Sequence, residues 1–471
     1  MNWIRRRQSI AFGAIVASSI CVLDVSGAAI TVDLSRRMGL VKPVNGVGQP
    51  PMVGAMSGWP MFRYLKDAGI PYSRLHDVGG WLGGGLYVDI PNLFPDFGAD
   101  ETKPENYRFA YTDSLLLGLK ENGVEPFFRL GVSIENFVGS GLPPVRTIPP
   151  SDYLKWARIC EHVISHYTEG WADGPKINIT YWEIWNEPDN MQDARKNPMW
   201  GAPFSEYIRF YGVVAPYLKA RFPDIKVGGY GSCGFYAGVG ANGVSAANSS
   251  PRMEYFIDCA KEFLSAVRNG GWPLDFFSYH SYSKPSVALR QVLYADALLD
   301  EYGFSSKKTE RVFNEWLPSA SVENLGSALQ ASDIAAELIG LQNGPCDIAC
   351  IYDARCGVGA YSPLFNPLTQ KPHKAYYAFL AFNELRKLRT AVACRCDDDG
   401  IFAAAASDGM RFALMVANAT DDEKPLELYG VPVDSVCRMS DASQTAVAVP
   451  IPRSSPARSF FVVTGVVRKG L

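Results

Sequence analysis

The chain has 471 residues, 47% hydrophobic, 20% charged and 12% aromatic, a balance that excludes disordered, collagen-like and fibrous chains. Lys and Arg number 45 against 48 Asp and Glu, a net charge of -3; with no basic excess to neutralise a phosphate backbone, nucleic acid is excluded as a partner. The length exceeds one ordinary core and calls for a large domain plus a small one.

Residues 1–28 read as a secretory signal. Arg5, Arg6 and Arg7 form a positive segment, Ile10 to Leu23 an apolar one, and Ser26, Gly27 and Ala28 supply small residues for a peptidase. The apolar run is shorter than the roughly 18 residues a bilayer span requires, so no membrane span is expected and the mature product is expected to be secreted or periplasmic. Nine of the ten cysteines follow this segment. Cys346, Cys350 and Cys356 cluster, as do Cys394 and Cys396, but no C-x2-C pair exists and the five histidines are scattered. They read as disulfides or inert buried thiols, and neither a metal nor a cofactor is expected.

From about residue 40 to 390, short β-rich runs alternate with helical patterns. The strand candidates are Val44–Gly48, Tyr72–Val78, Val124–Gly131, Asn178–Asn186, Ile225–Gly231, Asp275–Tyr282, Arg311–Trp316 and Ile348–Asp353. Several are apolar almost throughout, as strands covered on both faces must be. Helical patterns fall at Asp152–Tyr167 (one face formed by Leu154, Ile159, Val163 and Ile164), Phe204–Ala220, Glu254–Val267 and Ser332–Leu341. Eight strand–helix units predict an α/β fold, a (β/α)8 TIM barrel over 29–387. The tail 388–471 holds strand candidates Ile401–Ala406, Arg411–Ala417, Leu426–Leu428, Ser435–Met439 and Phe460–Val467 without helices, a small C-terminal β-sandwich domain that the opening strand Ala29–Leu34 is placed to join.

The strongest chemical signal is Trp182-Glu183-Ile184-Trp185-Asn186-Glu187-Pro188. Strand alternation puts Glu183 and Trp185 on one side. Pro188 cannot continue a central ladder, so Asn186 and Glu187 sit at a strand's C-terminal end, the rim where barrel active sites form. Desolvation beside two tryptophans is expected to raise the Glu187 pKa and suit it to general acid work. Phe313-Asn314-Glu315-Trp316 places a second carboxylate on the same rim, and Ser278-Tyr279-His280-Ser281-Tyr282 adds a His and a Tyr that can hold a carboxylate ionised. Two carboxylates facing one substrate are the minimum apparatus for glycoside hydrolysis. Glu183 lies deeper and reads as a buried partner of Arg74 or Arg129. Trp316, Tyr282, Trp185 and Tyr352 are candidates to stack on a sugar ring, with Trp59 and Trp81 near the mouth, and Asp353 is a candidate to bind a sugar hydroxyl.

Trp-Asn-Glu-Pro on the fourth strand with a second Glu on the seventh resembles the retaining barrel glycosidases, and more narrowly glycoside hydrolase family 39, which holds β-xylosidases and α-L-iduronidases. Arg74-Leu75-His76-Asp77, the stretch from Glu105 through Phe127-Phe128-Arg129-Leu130-Gly131, and Asp275 to Tyr282 are similar to that family's second, third and sixth strands; the likeness covers roughly Tyr72 to Leu385. It implies a retaining double displacement with Glu187 as acid/base and Glu315 as nucleophile. Asn186 is implied to bind the sugar 2-OH, His280 and Tyr282 to support the aglycone and the nucleophile, and Arg74 and His76 to line the inner rim. The partner implied is an oligosaccharide or glycoside, with β-xylosidase-like exo action foremost. Iduronidase, β-glucosidase or β-galactosidase action, transglycosylation and a non-catalytic sugar-binding barrel are the alternatives. An iduronidase needs a cation for the substrate carboxylate, and Lys284 and Arg355 are the nearest in sequence to a rim.

Overall fold

The computed structural model describes residues 27–52, 61–135, 146–239, 250–430, 432, 435–439, 443–450 and 452–467. The body of the expected signal, Trp59, the glycosylation-acceptor pattern at Asn248 and the side chain of Trp81 lie outside the described residues. The chain opens with a long strand, β1 (Ala28–Leu40), which begins one residue inside the segment expected to be removed. Eight short strands follow: β2 (Gly46–Gly48), β3 (Tyr72–Leu75), β4 (Glu125–Leu130), β5 (Tyr181–Ile184), β6 (Lys226–Ser232), β7 (Phe276–Ser281), β8 (Glu310–Trp316) and β9 (Ile348–Ile351). They pair in parallel in chain order, and β9 returns to β2 to close the barrel. Every strand candidate of the barrel is a strand.

The apolar strand composition has its physical cause in this closure. Alternate residues of β5 point outward, so Trp182 and Ile184 pack under the surrounding helices, while Tyr181 and Glu183 point inward. The helix Tyr153–Thr168 is typical of the outer layer. Asp152 caps it by accepting the Lys155 N–H at 2.9 Å, and Trp156, Ile159, Cys160, Val163 and Ile164 bury one face. Leu154, expected on that face, is instead exposed.

The tail adds β10 (Thr390–Cys396), β11 (Ile401–Ser407), β12 (Arg411–Asn418), β13 (Lys424–Tyr429), β14 (Ser435–Met439), β15 (Val447–Val449), β16 (Ser454–Ser455) and β17 (Ser459–Val466). With β1 they form one nine-stranded sheet in the order β15-β14-β17-β12-β11-β10-β1-β13-β16. The sheet is continuous and curls around its own core, so the two layers expected of a sandwich are one mixed sheet folded over. Strand alternation makes it apolar on both faces. Ile401, Ala403, Ala405, Phe412, Leu414 and Val416 face the inner core, whereas Ala404, Ala406, Ala413, Met415 and Ala417 join the large core with the helices Ala328–Asn343 and Lys374–Leu388. Arg458, in the turn before β17, ties the sheet to the first of these helices through Asp333 at 3.1 Å.

The described cysteines are free thiols. Cys394 and Cys396 stand two apart on β10, and Cys346 and Cys350 are buried. Asn418, a glycosylation acceptor by sequence pattern, is buried and donates to the carbonyls of Asp422, Ser455 and Pro456, which leaves no room for a glycan.

Candidate active site

The barrel interior is stratified. At its base Phe127, Tyr181, Phe276, Val312, Ile348 and Cys350 form an apolar plug. Above it lies a buried charged frame. Arg74 on β3 donates from Nε to Glu183 Oε2 at 2.8 Å, from Nη1 to Glu315 Oε2 at 2.9 Å and from Nη2 to Asn186 Oδ1 at 2.5 Å. Glu183 Oε1 accepts from Ser278 Oγ and Asn314 Nδ2, each at 2.7 Å. One guanidinium thus joins three strands. Glu183 and Glu315 keep it charged against the opposing effect of burial. Arg129 pairs with Asp89 at 2.6 Å, so Glu183 belongs to Arg74 alone of the two arginines considered for it.

The rim follows from how β5 ends. Trp185 takes φ +72° and Glu187 φ +44°, left-handed conformations that cost non-glycine residues about 1–3 kcal/mol each. The break at Trp185 overturns the expected sharing of a face with Glu183. Trp185 turns outward onto Trp156, Trp200 and Phe210, and its indole N–H donates to Met199 O at 2.8 Å. Asn186 and Glu187 are thereby delivered to the mouth. The Glu187 N–H bonds Tyr230 O and Gly231 O on β6. Gly231 itself sits at φ +65°, and a Cβ there would stand 3.2 Å from both Asn186 Oδ1 and the His280 ring.

Glu187 and Glu315 face each other across this mouth. Oxygens of both carboxylates and a nitrogen of His280 lie within 4.8 Å of one another. Tyr282 donates its hydroxyl to Glu315 Oε1, while Arg74 holds Oε2. His280 Nδ1 lies 2.8 Å from Glu187 Oε1 and 3.7 Å from Glu315 Oε2. Asn190 Nδ2 donates to Glu187 Oε2 at 2.7 Å. Chemically this trio could tempt a cation, but Arg74 already supplies the positive charge beside Glu315, and each carboxylate oxygen is engaged by a protein donor.

The electrostatics differ from the sequence expectation at Glu187. Burial pushes its carboxyl up, but the hydrogen bond and charge of His280, with Asn190 and Cys233, outweigh burial and hold it below its ordinary value. The tryptophans expected to desolvate it face the helix layer. Burial pulls His280 down, yet Glu315 and Glu187 raise it overall. His76 is driven well down by burial and by Arg129 and Arg74 and is neutral. Burial lifts Asp77 to about 6 and Asp353 and Asp189 to about 7.

The cavity at this mouth measures about 540 Å³. Asn186, Glu187, Glu315, Tyr282, His76 and Tyr352 line it, whereas Arg74 and His280 stand behind it as supports. Trp316 does not reach it. Alternation slips at the end of β8: Asn314 turns inward to Glu183 and Glu315 inward to the cavity, and the register shift that allows this leaves Trp316 completely buried in the large core. Trp185 fails for the turn described above. Asp353 is also buried, held by Gln49 Nε2 at 3.1 Å and Arg355 Nη2 at 2.9 Å. Arg355 does reach the cavity, and Lys284 is absent from its described lining. Sequence reasoning missed Tyr361, Asn190 and Arg252. Only Asn190 left a local trace: Pro188 and Asp189 form the centre of a turn closed by Asn190 N–H to Glu187 O at 3.0 Å, which folds its side chain back onto Glu187.

The model of the family described as glycosyl hydrolases family 39 matches residues 66–321, more than half of the chain and every strand from β3 to β8. The chain belongs to glycosyl hydrolases family 39. Among relatives of this family 39 chain, a β-xylosidase of Geobacillus stearothermophilus is 27% identical over 209 residues, 43% of this chain and 36% of that protein. The chain thus matches about a third of that relative's length. Of solved structures, a glucosidase from Croceicoccus marinus superposes with a TM-score of 0.72 at 19% identity, covering 94% of this chain and 99% of the other. A family 39 β-xylosidase from Caulobacter crescentus follows at 0.62 and 18%, covering 93% and 99%. These two likenesses speak for the fold, and both extend across the barrel and the curled sheet.

Proposed function

We propose that the protein is a retaining glycoside hydrolase, acting on O-glycosidic bonds as a β-xylosidase-like exo-glycosidase. One observation carries the mechanism: oxygens of Glu187 and Glu315 lie within 4.8 Å, on opposite sides of one cavity. Retaining pairs stand about 5–5.5 Å apart, whereas inversion needs about 6.5–9.5 Å to admit a water between them. Glu315, aimed by Arg74 and Tyr282, attacks the anomeric carbon. Glu187 protonates the leaving oxygen and then takes a proton from the water that releases the sugar. Asn186, fixed by Arg74, is placed to meet the sugar 2-OH. The xyloside preference is supported by the β-xylosidase relative. Export is supported by the basic and apolar segment at residues 5–23. A second reading, an acidic sugar, draws on Arg355 at the cavity wall, but Asp353 already neutralises that cation.

The test is a panel of aryl β-D-glycosides with product configuration followed by NMR. The expected result is fastest release from the xyloside, with β-xylose formed first. Initial α-product would overturn retention, and no release from any member would favour a sugar-binding barrel.

A further inference from the structure

Glu187 makes two contacts of different character. Its Oε1 meets His280, which is completely buried. Its Oε2 accepts from Asn190 Nδ2, on a half-buried turn at the cavity wall. An amide has a donating end and an accepting end, and which one faces a carboxyl decides whether the carboxyl is welcome as an anion or as an acid. Here the orientation is imposed from outside. Arg252, at the start of the helix Pro251–Gly270, donates from Nη2 to Asn190 Oδ1 at 3.1 Å and from Nε to the Asn190 carbonyl at 2.9 Å. With Oδ1 taken by a guanidinium, only Nδ2 is left to face Glu187. Arg252 is itself exposed, lines the cavity, and rests over the Phe256 ring at 4.9 Å.

We propose that Asn190, its amide locked by Arg252, is a positioning residue that holds Glu187 ionised until an aglycone engages Arg252 and frees the amide to turn. This deepens the hydrolase reading and rests on it for its catalytic meaning. Leaving-group hydroxyls on the Arg252 side of the cavity compete for the guanidinium. The released amide can present Oδ1 to Glu187, and a proton delivered by a hydronium ion then sits on Oε2, where Oδ1 accepts it. The carboxylate plus a hydronium ion becomes a carboxylic acid plus water, and nothing else is consumed. The acid is thereby formed only when there is a glycosidic oxygen to protonate. Besides His280, the ionisable groups facing Glu187 are Glu315, Asp189, Cys233, Tyr236, Tyr282 and Tyr361. Of these, Cys233 also lowers the Glu187 carboxyl through a side-chain hydrogen bond, and it is left intact in every variant so that the Asn190 contact is altered separately.

The test uses Asn190→Ala, Arg252→Ala and Arg252→Lys in the full chain. The Glu187 carboxyl is titrated by carboxyl-carbon NMR, its signal identified by loss in Glu187→Gln. Removing the donor should move the Glu187 titration up by about one pH unit in Asn190→Ala. The shift should be smaller but of the same sign in Arg252→Ala, and largely reversed in Arg252→Lys. Adding a sulfur-linked β-1,4-xylobiose, which is not cleaved and whose leaving sugar carries hydroxyls, to the unaltered protein should reproduce the upward shift. In kcat/KM against pH, the alkaline limb should move up equally for phenyl β-D-xyloside, which needs a proton, and stay in place for the dinitrophenyl xyloside, which does not. An unmoved titration in Asn190→Ala overturns the proposal, and a shift there without one in Arg252→Ala overturns the role of Arg252. If the unaltered protein cleaves neither xyloside, the xyloside reading fails while the titration still decides whether the amide sets the charge of Glu187.

Discussion

The two ends of the barrel interior are equally buried and opposite in chemistry. At the base, aromatic and aliphatic side chains from neighbouring strands close the ring, as Tyr181 on β5 stacks on Phe127 on β4 with centroids 5.0 Å apart. One layer up, the same inward positions carry Arg74, Glu183, Ser278 and Asn314, joined by hydrogen bonds of 2.7–2.8 Å. Burying such charges costs desolvation that an apolar layer would not. The base is therefore the layer that stabilises the ring, and the upper frame is the layer that aims Glu315 and Asn186 at the cavity.

Glu315→Ala should break the upper layer's purpose most severely. Turnover of aryl xylosides should fall by about four orders of magnitude, about 5 kcal/mol of transition-state stabilisation. Added azide should restore part of the rate and give the product of opposite anomeric configuration, read by NMR. Next come paired stability measurements by urea unfolding. Phe276→Ala at the base should cost about 3–5 kcal/mol while the folded fraction keeps its KM. Arg74→Met should cost a similar amount, because Glu183 and Glu315 lose their counter-charge. Adding Glu183→Leu to Arg74→Met should recover part of the stability and none of the turnover, which separates aiming from holding.

A smaller effect concerns pH. Burial first, then the charge of Glu187, raises Asp189 to about 7. Its carboxyl prefers to be neutral in the fold, so its contribution is fully present below the unfolded value near 4 and is lost as pH rises through about 7. Asp189→Asn, neutral throughout, should gain on the unaltered chain by about 1–2 kcal/mol between pH 5 and 8, measured as the change in urea midpoint. The smallest effect separates the aromatics. Trp316→Phe should lower stability by about 1 kcal/mol and leave KM unchanged, because the ring never reaches the cavity. Tyr361→Ala, which removes an exposed wall beside Tyr282 and Tyr352, should raise KM by a few-fold with little change in stability.

The barrel was legible because its strands are buried on both faces and each ends in punctuation, Pro188 being the clearest. The tail was read less fully. β10 was missed because Thr390–Cys396 mixes cysteines and an arginine with its apolar residues, and its role as the link between β1 and β11 is set by pairing, not by its own pattern. The aromatic candidates failed for a local reason: a register shift at the end of β8 turns Glu315 to the cavity and leaves Trp316 in the large core, and a left-handed residue breaks alternation, which settles Trp185.

The sequence by itself determined the eight strands of the barrel and the rim position of Glu187 and Glu315. Those conclusions rest on local periodicity and on strand-terminating residues, whereas the inner-rim place of Arg74 came from the family resemblance. Only the tertiary structure decided which side chains meet. Glu183 and Arg74 are 109 positions apart, Arg74 and Glu315 are 241 apart, and Arg252 reaches Asn190 over 62. Closure of the ring brings such pairs within 3 Å or so, and with them the charge on Glu187, because an ionisable group answers to the donors around it and not to its neighbours along the chain.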